Sequence, residues 1–219
     1  ANLDKALPSV LKGGFYHAGQ VCVSVQRVFA HRSIARAFAE KLAEGASRLI
    51  VGDPTASDTE VGPLIVPAEV DRVHAWVEEA RAGGAEVLSG GEALSASAYK
   101  PTVLLNPPSD AQVSRAEIFG PVVCVYECDD MDAAIDTANS LAVSFQAAVF
   151  TESLDNAMRV SSRLDASAVM VNDHTAFRVD WMPFAGMKES GHGVGGVPHS
   201  MHEMQVHKMT VIHSGEIKD

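Results

Sequence analysis

No apolar run in this chain approaches the length of a membrane-spanning helix, which sets aside a helical membrane protein. Basic residues are scarce: 17 Lys and Arg stand against 28 Asp and Glu, for a net charge of −11. A surface of that sign repels phosphate backbones and anionic lipid, so neither nucleic acid nor a membrane surface is an expected partner. It decides nothing about a small anionic substrate, because a single local cation can hold one. Cysteine is sparse and odd in number, three residues without the spacing of a disulfide framework. That usage points to a reducing cytoplasm. No signal peptide is read at the start, where Ala1 to Lys5 already opens an amphipathic helix. Nor is there an internal repeat.

What is there is a chain of 219 residues, 47% hydrophobic and 21% charged, able to bury the core of one large domain. Helical and strand periodicities alternate, the signature of an α/β layer fold. Ser33 is the expected cap of a helix through about Leu49, striped by Ile34, Ala37, Phe38, Leu42 and Leu49. A second helix spans about Pro67 to Ala82, closed by Gly83-Gly84. Strands are expected at Ala85 to Leu88, Thr102 to Leu105, Val122 to Glu127, Ala147 to Thr151 and Ala168 to Val171. Helices fall at Met131 to Leu141 and Leu154 to Leu164. Repeated strand–helix–strand units imply a largely parallel, doubly wound sheet. Residues 173–196 read as loop, and Met209 to Ile212 as a strand-like end to the tail.

One cysteine has a distinctive setting, Phe15-Tyr16-His17-Ala18-Gly19-Gln20-Val21-Cys22. An apolar helical stretch (Leu3, Ala6, Leu7, Val10, Leu11) precedes it, and Val23 to Ala30 reads as a strand behind it. Cys22 therefore falls at a helix-to-strand junction, loosened by Gly13-Gly14 and Gly19, where a backbone amide can face an incoming carbonyl. A lone Cys is commonly a small buried apolar residue, and Cys124 and Cys128, spaced to share one face of a strand, are read that way. For Cys22 the rest of the chain argues otherwise.

Further stretches accompany it in order: Val51-Gly52-Asp53-Pro54 with Val61-Gly62-Pro63-Leu64; Glu117-Ile118-Phe119-Gly120-Pro121-Val122; Ala138-Asn139 leading to Ala148-Val149-Phe150-Thr151; and Val171-Asn172 followed by Met182-Pro183-Phe184-Ala185-Gly186-Met187-Lys188-Glu189-Ser190-Gly191-His192-Gly193. With Gly19-Gln20-Val21-Cys22 at the front, this order and spacing resembles the aldehyde dehydrogenase superfamily, from the first residues to about Gly193. The resemblance implies a catalytic domain over residues 1–200 and an oligomerisation tail over 201–219. It also implies a chain trimmed before the NAD-binding domain, the oxyanion-hole Asn and the water-activating Glu of that family, and hence one inactive when isolated.

By the same resemblance Cys22 attacks an aldehyde, Glu117 bonds the nicotinamide ribose of NAD or NADP, and Phe119 packs near the nicotinamide ring. Phe177-Arg178-Val179-Asp180 is similar to branches acting on lactaldehyde, phosphonoacetaldehyde and other small or anionic aldehydes. Phe177 and Arg178 are thus expected at the substrate, with Arg178 forking onto its anionic group. A homodimer or homotetramer is implied for the full-length enzyme. Ala116, the run Asn139 to Phe145, and Pro183-Phe184-Ala185-Gly186 depart from the common pattern and leave the subfamily open. Gly191 to Gly196 has the letters of a dinucleotide glycine motif but no strand before it. His192, His199, His202, His207 and His213 match no metal-ligand spacing, and no metal is expected. Two other classes remain in view: a cysteine hydrolase or acyltransferase with Cys22 served by His17 or His174, and a non-catalytic assembly module.

Overall fold

The computed structural model describes residues 2–216. Four strands, β1 (Arg27–His31), β2 (Glu86–Ser89), β3 (Thr102–Leu105) and β4 (Val122–Cys128), form the principal sheet in the order β1-β4-β3-β2. β4 runs parallel to both β1 and β3, while β2 is antiparallel to β3. The mostly parallel α/β expectation holds, with β2 the exception. Residues 90–101 return to β3 without a helix, and a helix-free return suits antiparallel strands.

The helices are α1 (Leu3–Phe15), α2 (Arg32–Arg48), α3 (Pro67–Ala82), the single turn α4 (Gln112–Arg115), α5 (Met131–Asn139), α6 (Leu154–Arg163) and α7 (Val197–Glu203). Two smaller sheets stand apart. β5 (Val143–Ser144) pairs antiparallel with β8 (Met187–Lys188), and β6 (Gln146–Val149) pairs parallel with β7 (Ala168–Val171) across α6.

Period-3.6 burial explains α2: Ala35, Phe38, Ala39, Leu42, Ala43 and Ala46 are all buried, and the alanines let the helix lie close to the sheet. Its cap is His31 rather than Ser33, the ring Nδ1 accepting from the Ser33 N–H at 3.3 Å. β4 is covered on both faces. Val123 presses on Gly14 of α1, while the next residue, Cys124, turns its thiol to the Val113 carbonyl of α4 at 4.0 Å. Burial pushes the Cys124 thiol up to about 12, so it is a core residue with no thiolate at neutral pH.

Two strand expectations shift for backbone reasons. Val23 to Val25 does not join β1, because its polar groups are already used: Ser24 N–H bonds Val21, Val25 N–H bonds Gly13, and the Val23 carbonyl accepts from the Thr175 hydroxyl, whereas pairing with β4 begins at the Gln26 carbonyl. The tail pairs with no strand among the described residues. Beyond α7, Met204, Val206, Met209, Val211 and Ile212 are each more than 70% exposed, without a strand partner among the described residues. Positions 217–219 of that tail, and Ala1, lie outside the described residues.

The first residue of β3 yields a test. Thr102 is fully buried, its hydroxyl donating to the Lys100 carbonyl at 2.7 Å and accepting from the Gly91 N–H at 2.9 Å. Thr102→Val keeps the shape and strands both partners, and is expected to cost about 1–3 kcal/mol of stability by urea denaturation. An unchanged midpoint would show that neither bond matters.

Candidate active site

The segment leading to Cys22 is set by an unusual backbone turn. His17, Ala18 and Gly19 follow one another in the left-handed region, at φ of 50°, 55° and 70°. For the two non-glycine residues this costs roughly 1–2 kcal/mol each, so the surroundings must hold it. Gly19 is obligatory on a second ground: a Cβ there would lie 2.1 Å from the Gly120 carbonyl oxygen. Gln20 fastens the turn from outside, its Nε2 donating to the carbonyls of His17 (3.3 Å) and Pro63 (3.2 Å), and its Oε1 accepting from the Ile65 N–H at 2.9 Å. Cys22 emerges from this turn exposed and unbridged.

Glu117 to Pro121 packs against it. Gln26, just before β1, gives Nε2 to the carbonyls of Val113 (3.1 Å) and Ala116 (2.8 Å), while its Oε1 takes the Ile118 N–H at 2.9 Å. Arg72 of α3, stacked on Trp76 and paired with Glu69, donates to the Ile118 carbonyl at 2.6 Å. Held on both sides, the loop turns outward at Phe119 (φ 48°), whose side chain is 41% exposed. Glu117 is solvent-accessible, and partial burial raises its carboxyl above the usual range. Cys22, Glu117 and Phe119 line one cavity of about 1120 Å³, together with Gly19, Gly120 and His174.

The loop after β7 closes a third side. The Thr175 hydroxyl donates to the Val23 carbonyl at 2.5 Å, and His174 lies so close to Gly13 that a Cβ on the glycine would come within 2.7 Å of the His174 Cβ. His174 Nδ1 accepts from the Ala176 N–H at 3.1 Å. Among the described residues, the Cys22 thiol makes no hydrogen bond to His17 or His174. Phe177 is 49% exposed and lines a separate cavity of about 550 Å³. Arg178 stacks on the Phe184 ring, 4.4 Å from its centroid, and forms no ion pair with Asp180 among the described residues. The structure thus brings Cys22, Glu117 and Phe119 together and sets Phe177 and Arg178 outside that cavity's lining. Gly195 exchanges two backbone bonds with Phe184, so the glycine-rich 191–196 segment is spent on the chain's own backbone.

Gln26, Arg72 and Thr175 escape a reading of the sequence. Only Gln26 leaves a trace there, an amide in the apolar run before Val28.

Comparison with known proteins gives the family and the fold. The model of the "Aldehyde dehydrogenase family" matches residues 1–210. The chain is 39% identical to a 3-sulfolactaldehyde dehydrogenase of Priestia aryabhattai, over 97% of its own length and 44% of the relative. It is 35% identical to a lactaldehyde dehydrogenase of Methanococcus vannielii, over 98% and 46%. Among solved structures, glyceraldehyde-3-phosphate dehydrogenase of Methanocaldococcus jannaschii, complexed with NADP, superposes with a TM-score of 0.89 at 36% identity, over 93% of this chain and 44% of that one. Aldehyde dehydrogenase 21 of Physcomitrella patens, in complex with the product succinate, gives 0.88 at 33%, over 92% and 42%. The chain spans less than half the length of these relatives.

The Gln26 clamp is testable without assuming any activity. Gln26→Leu leaves the Val113 and Ala116 carbonyls and the Ile118 N–H without their partner, and should cost about 2–3 kcal/mol. Amide exchange at Ile118 should accelerate more than exchange in α2. Equal acceleration at both places would mean the clamp acts on global stability alone.

Proposed function

This chain belongs to the aldehyde dehydrogenase family, and from that premise we propose that it carries the nucleophile of an NAD(P)-dependent oxidation of an aldehyde to a carboxylic acid. The observation that carries the proposal is the convergence of Cys22, Glu117 and Phe119 on one cavity, through the contact of Gly19 with Gly120. Because the chain spans less than half of its relatives, turnover is assigned to the whole protein and not to these 219 residues alone.

Cys22 is an exposed, uncommitted thiol, and the thiolate adds to the aldehyde carbon to give a thiohemiacetal. The backbone N–H of Cys22 supplies one donor to the oxyanion, an interaction typically worth about 3–4 kcal/mol of barrier. Loss of hydride from that carbon and of the proton from its oxygen would leave a Cys22 thioester, from which water frees the acid and restores the thiol.

The residues present fit one end of a dinucleotide. Glu117 offers a partly desolvated carboxylate for the two hydroxyls of a ribose, and Phe119, held outward by its left-handed backbone, offers a flat face beside it. Related structures hold NADP or NAD+. NAD or NADP bound there supplies the acceptor for the hydride released by the thiohemiacetal carbon.

Relatives named for lactaldehyde, sulfolactaldehyde and sulfoacetaldehyde support a small aldehyde, in some cases anionic, as substrate. Phe177 and Arg178 are proposed to contact it from the loop after β7, with movement of the Arg178 guanidinium off Phe184. The exposed apolar residues of 204–212 support a homodimer or homotetramer built through the tail. Three free thiols support a reducing, cytoplasmic setting.

In the whole protein, Cys22→Ala is expected to abolish NAD(P)H formation from small aldehydes, whereas Cys124→Ala and Cys128→Ser retain it. Full activity in Cys22→Ala would refute the assignment. Hydrolysis of a thioester or ester by wild type, with no aldehyde oxidation, would instead make the protein a cysteine hydrolase.

A further inference from the structure

The second cavity, of about 550 Å³, is formed between α1 and the loop after β7. Lys5, Ser9 and Lys12 line it from the helix, Asp173, His174 and Phe177 from the loop. Lys5, Ser9 and Lys12 lie at helical spacing i, i+4, i+7, so one face of α1 brings both lysines to this lining. His174 lines this cavity and the Cys22 cavity alike, which makes it the wall the two share.

The charges are uneven. In a chain of net charge −11, most cations near acids are paired, among them Arg32, Arg36, Arg72, Arg159, Arg163 and Lys188. Among the described residues, Lys5 and Lys12 form no ion pair. The acid in the cavity, Asp173, is held by two neutral donors, the Ser9 hydroxyl at 3.2 Å and the His174 N–H at 2.8 Å, so its charge stands against the two ammonium groups and leaves the lining one positive charge in excess. Phe177, with Pro8 and Ala176, gives the lining an apolar part.

We propose that this cavity is the subsite for the anionic end of the substrate, a carboxylate or sulfonate, and that Lys12 is its specificity-determining residue. Lys12 rather than Lys5 is chosen because it adjoins Gly13, the glycine against which His174 packs, and so stands at the end of the helix nearest the shared wall. Lys5, two turns away, contributes charge at longer range. The substrate class that fits is a short aldehyde with an anionic group at its far end, the carbonyl reaching Cys22 past His174 while the anion stays with Lys12. The proposal rests on Cys22 being the nucleophile of an aldehyde oxidation, and it assigns anion recognition to Lys12 instead of Arg178.

Two measurements on the whole protein test it. In the first, alkylation of Cys22 by iodoacetamide is followed by peptide mass spectrometry in the presence of propane-1-sulfonate, propanoate or neutral propanamide. The anions should protect Cys22 in wild type more than propanamide does, and the difference should vanish in Lys12→Met and persist in Lys12→Arg. In the second, kcat/KM is compared for an anionic and a neutral aldehyde of equal length. Lys12→Met should lower the anionic-to-neutral ratio by up to about fivefold, the upper end for a solvent-screened charge pair, and added salt should shrink the effect. Lys12 also lies in the last turn of α1, where a cation steadies the helix dipole. Loss of that role would lower stability and leave the ratio unmoved. An unchanged ratio in Lys12→Met, or its loss in Arg178→Leu alone, overturns the inference while aldehyde oxidation stands. If wild type oxidises no aldehyde, the proposed function falls, and the alkylation measurement still decides whether Lys12 holds anions beside Cys22.

Discussion

Between Gly19 and Gly120 there is no room for a single side-chain carbon, and the geometry of the candidate site follows from that contact. Two segments almost a hundred residues apart meet backbone to backbone, one ending in Cys22 and the other carrying Glu117 and Phe119. Gly19 and the two residues before it make this approach in the left-handed region, a strained arrangement that does not persist unaided. The supports are polar and come from outside: Gln20 to Pro63 and Ile65, Gln26 to Val113, Ala116 and Ile118, and Arg72 to Ile118. Each satisfies loop backbone groups that neither a helix nor a sheet ladder serves.

The three cysteines show how position alone separates reactivity from packing. Cys124 lies at the centre of β4 with no exposure, and removal from water raises its pKa to about 12. Cys128, four residues on along the same strand, is partly exposed and raised by burial and by Asp130. Cys22 is open to solvent beside a cavity. Since only the thiolate attacks carbon, a core thiol is chemically silent whatever its sequence neighbours.

Packing is uneven along the chain. The main cluster of buried residues runs from Ala6 to Val125 and takes in α1, α2, α3 and the four-stranded sheet. Beyond it, Ile135, Ala157, Val160 and Met170 are the buried apolar residues, and β6 and β7 make only a two-stranded pair. Within these 219 residues, fewer apolar contacts hold the part after β4. The segment that carries Thr175 and His174 belongs to this looser half, and the Thr175–Val23 bond is one of its ties to the firm half.

Much of the molecule is legible in its residues. Apolar periodicity placed α3 at Pro67–Ala82, β3 at Thr102–Leu105 and β7 at Ala168–Val171, because Pro at a first turn, paired glycines after a last one and β-branched runs are local signals. The motif around Cys22 and that around Glu117 were each visible too, since their glycines mark backbone demands that other residues cannot meet. The antiparallel β2, the failure of Val23 to Val25 to join β1, the stacking of Arg178 on Phe184 and the second cavity beside Lys12 were not. Each depends on which distant group reaches a given backbone or side chain first: Thr175 at Val23, Gly13 at Val25, Phe184 at Arg178. Local sequence sets what a residue can do. Competition among partners far apart in the chain sets which of those things it does, and only the folded structure resolves that competition.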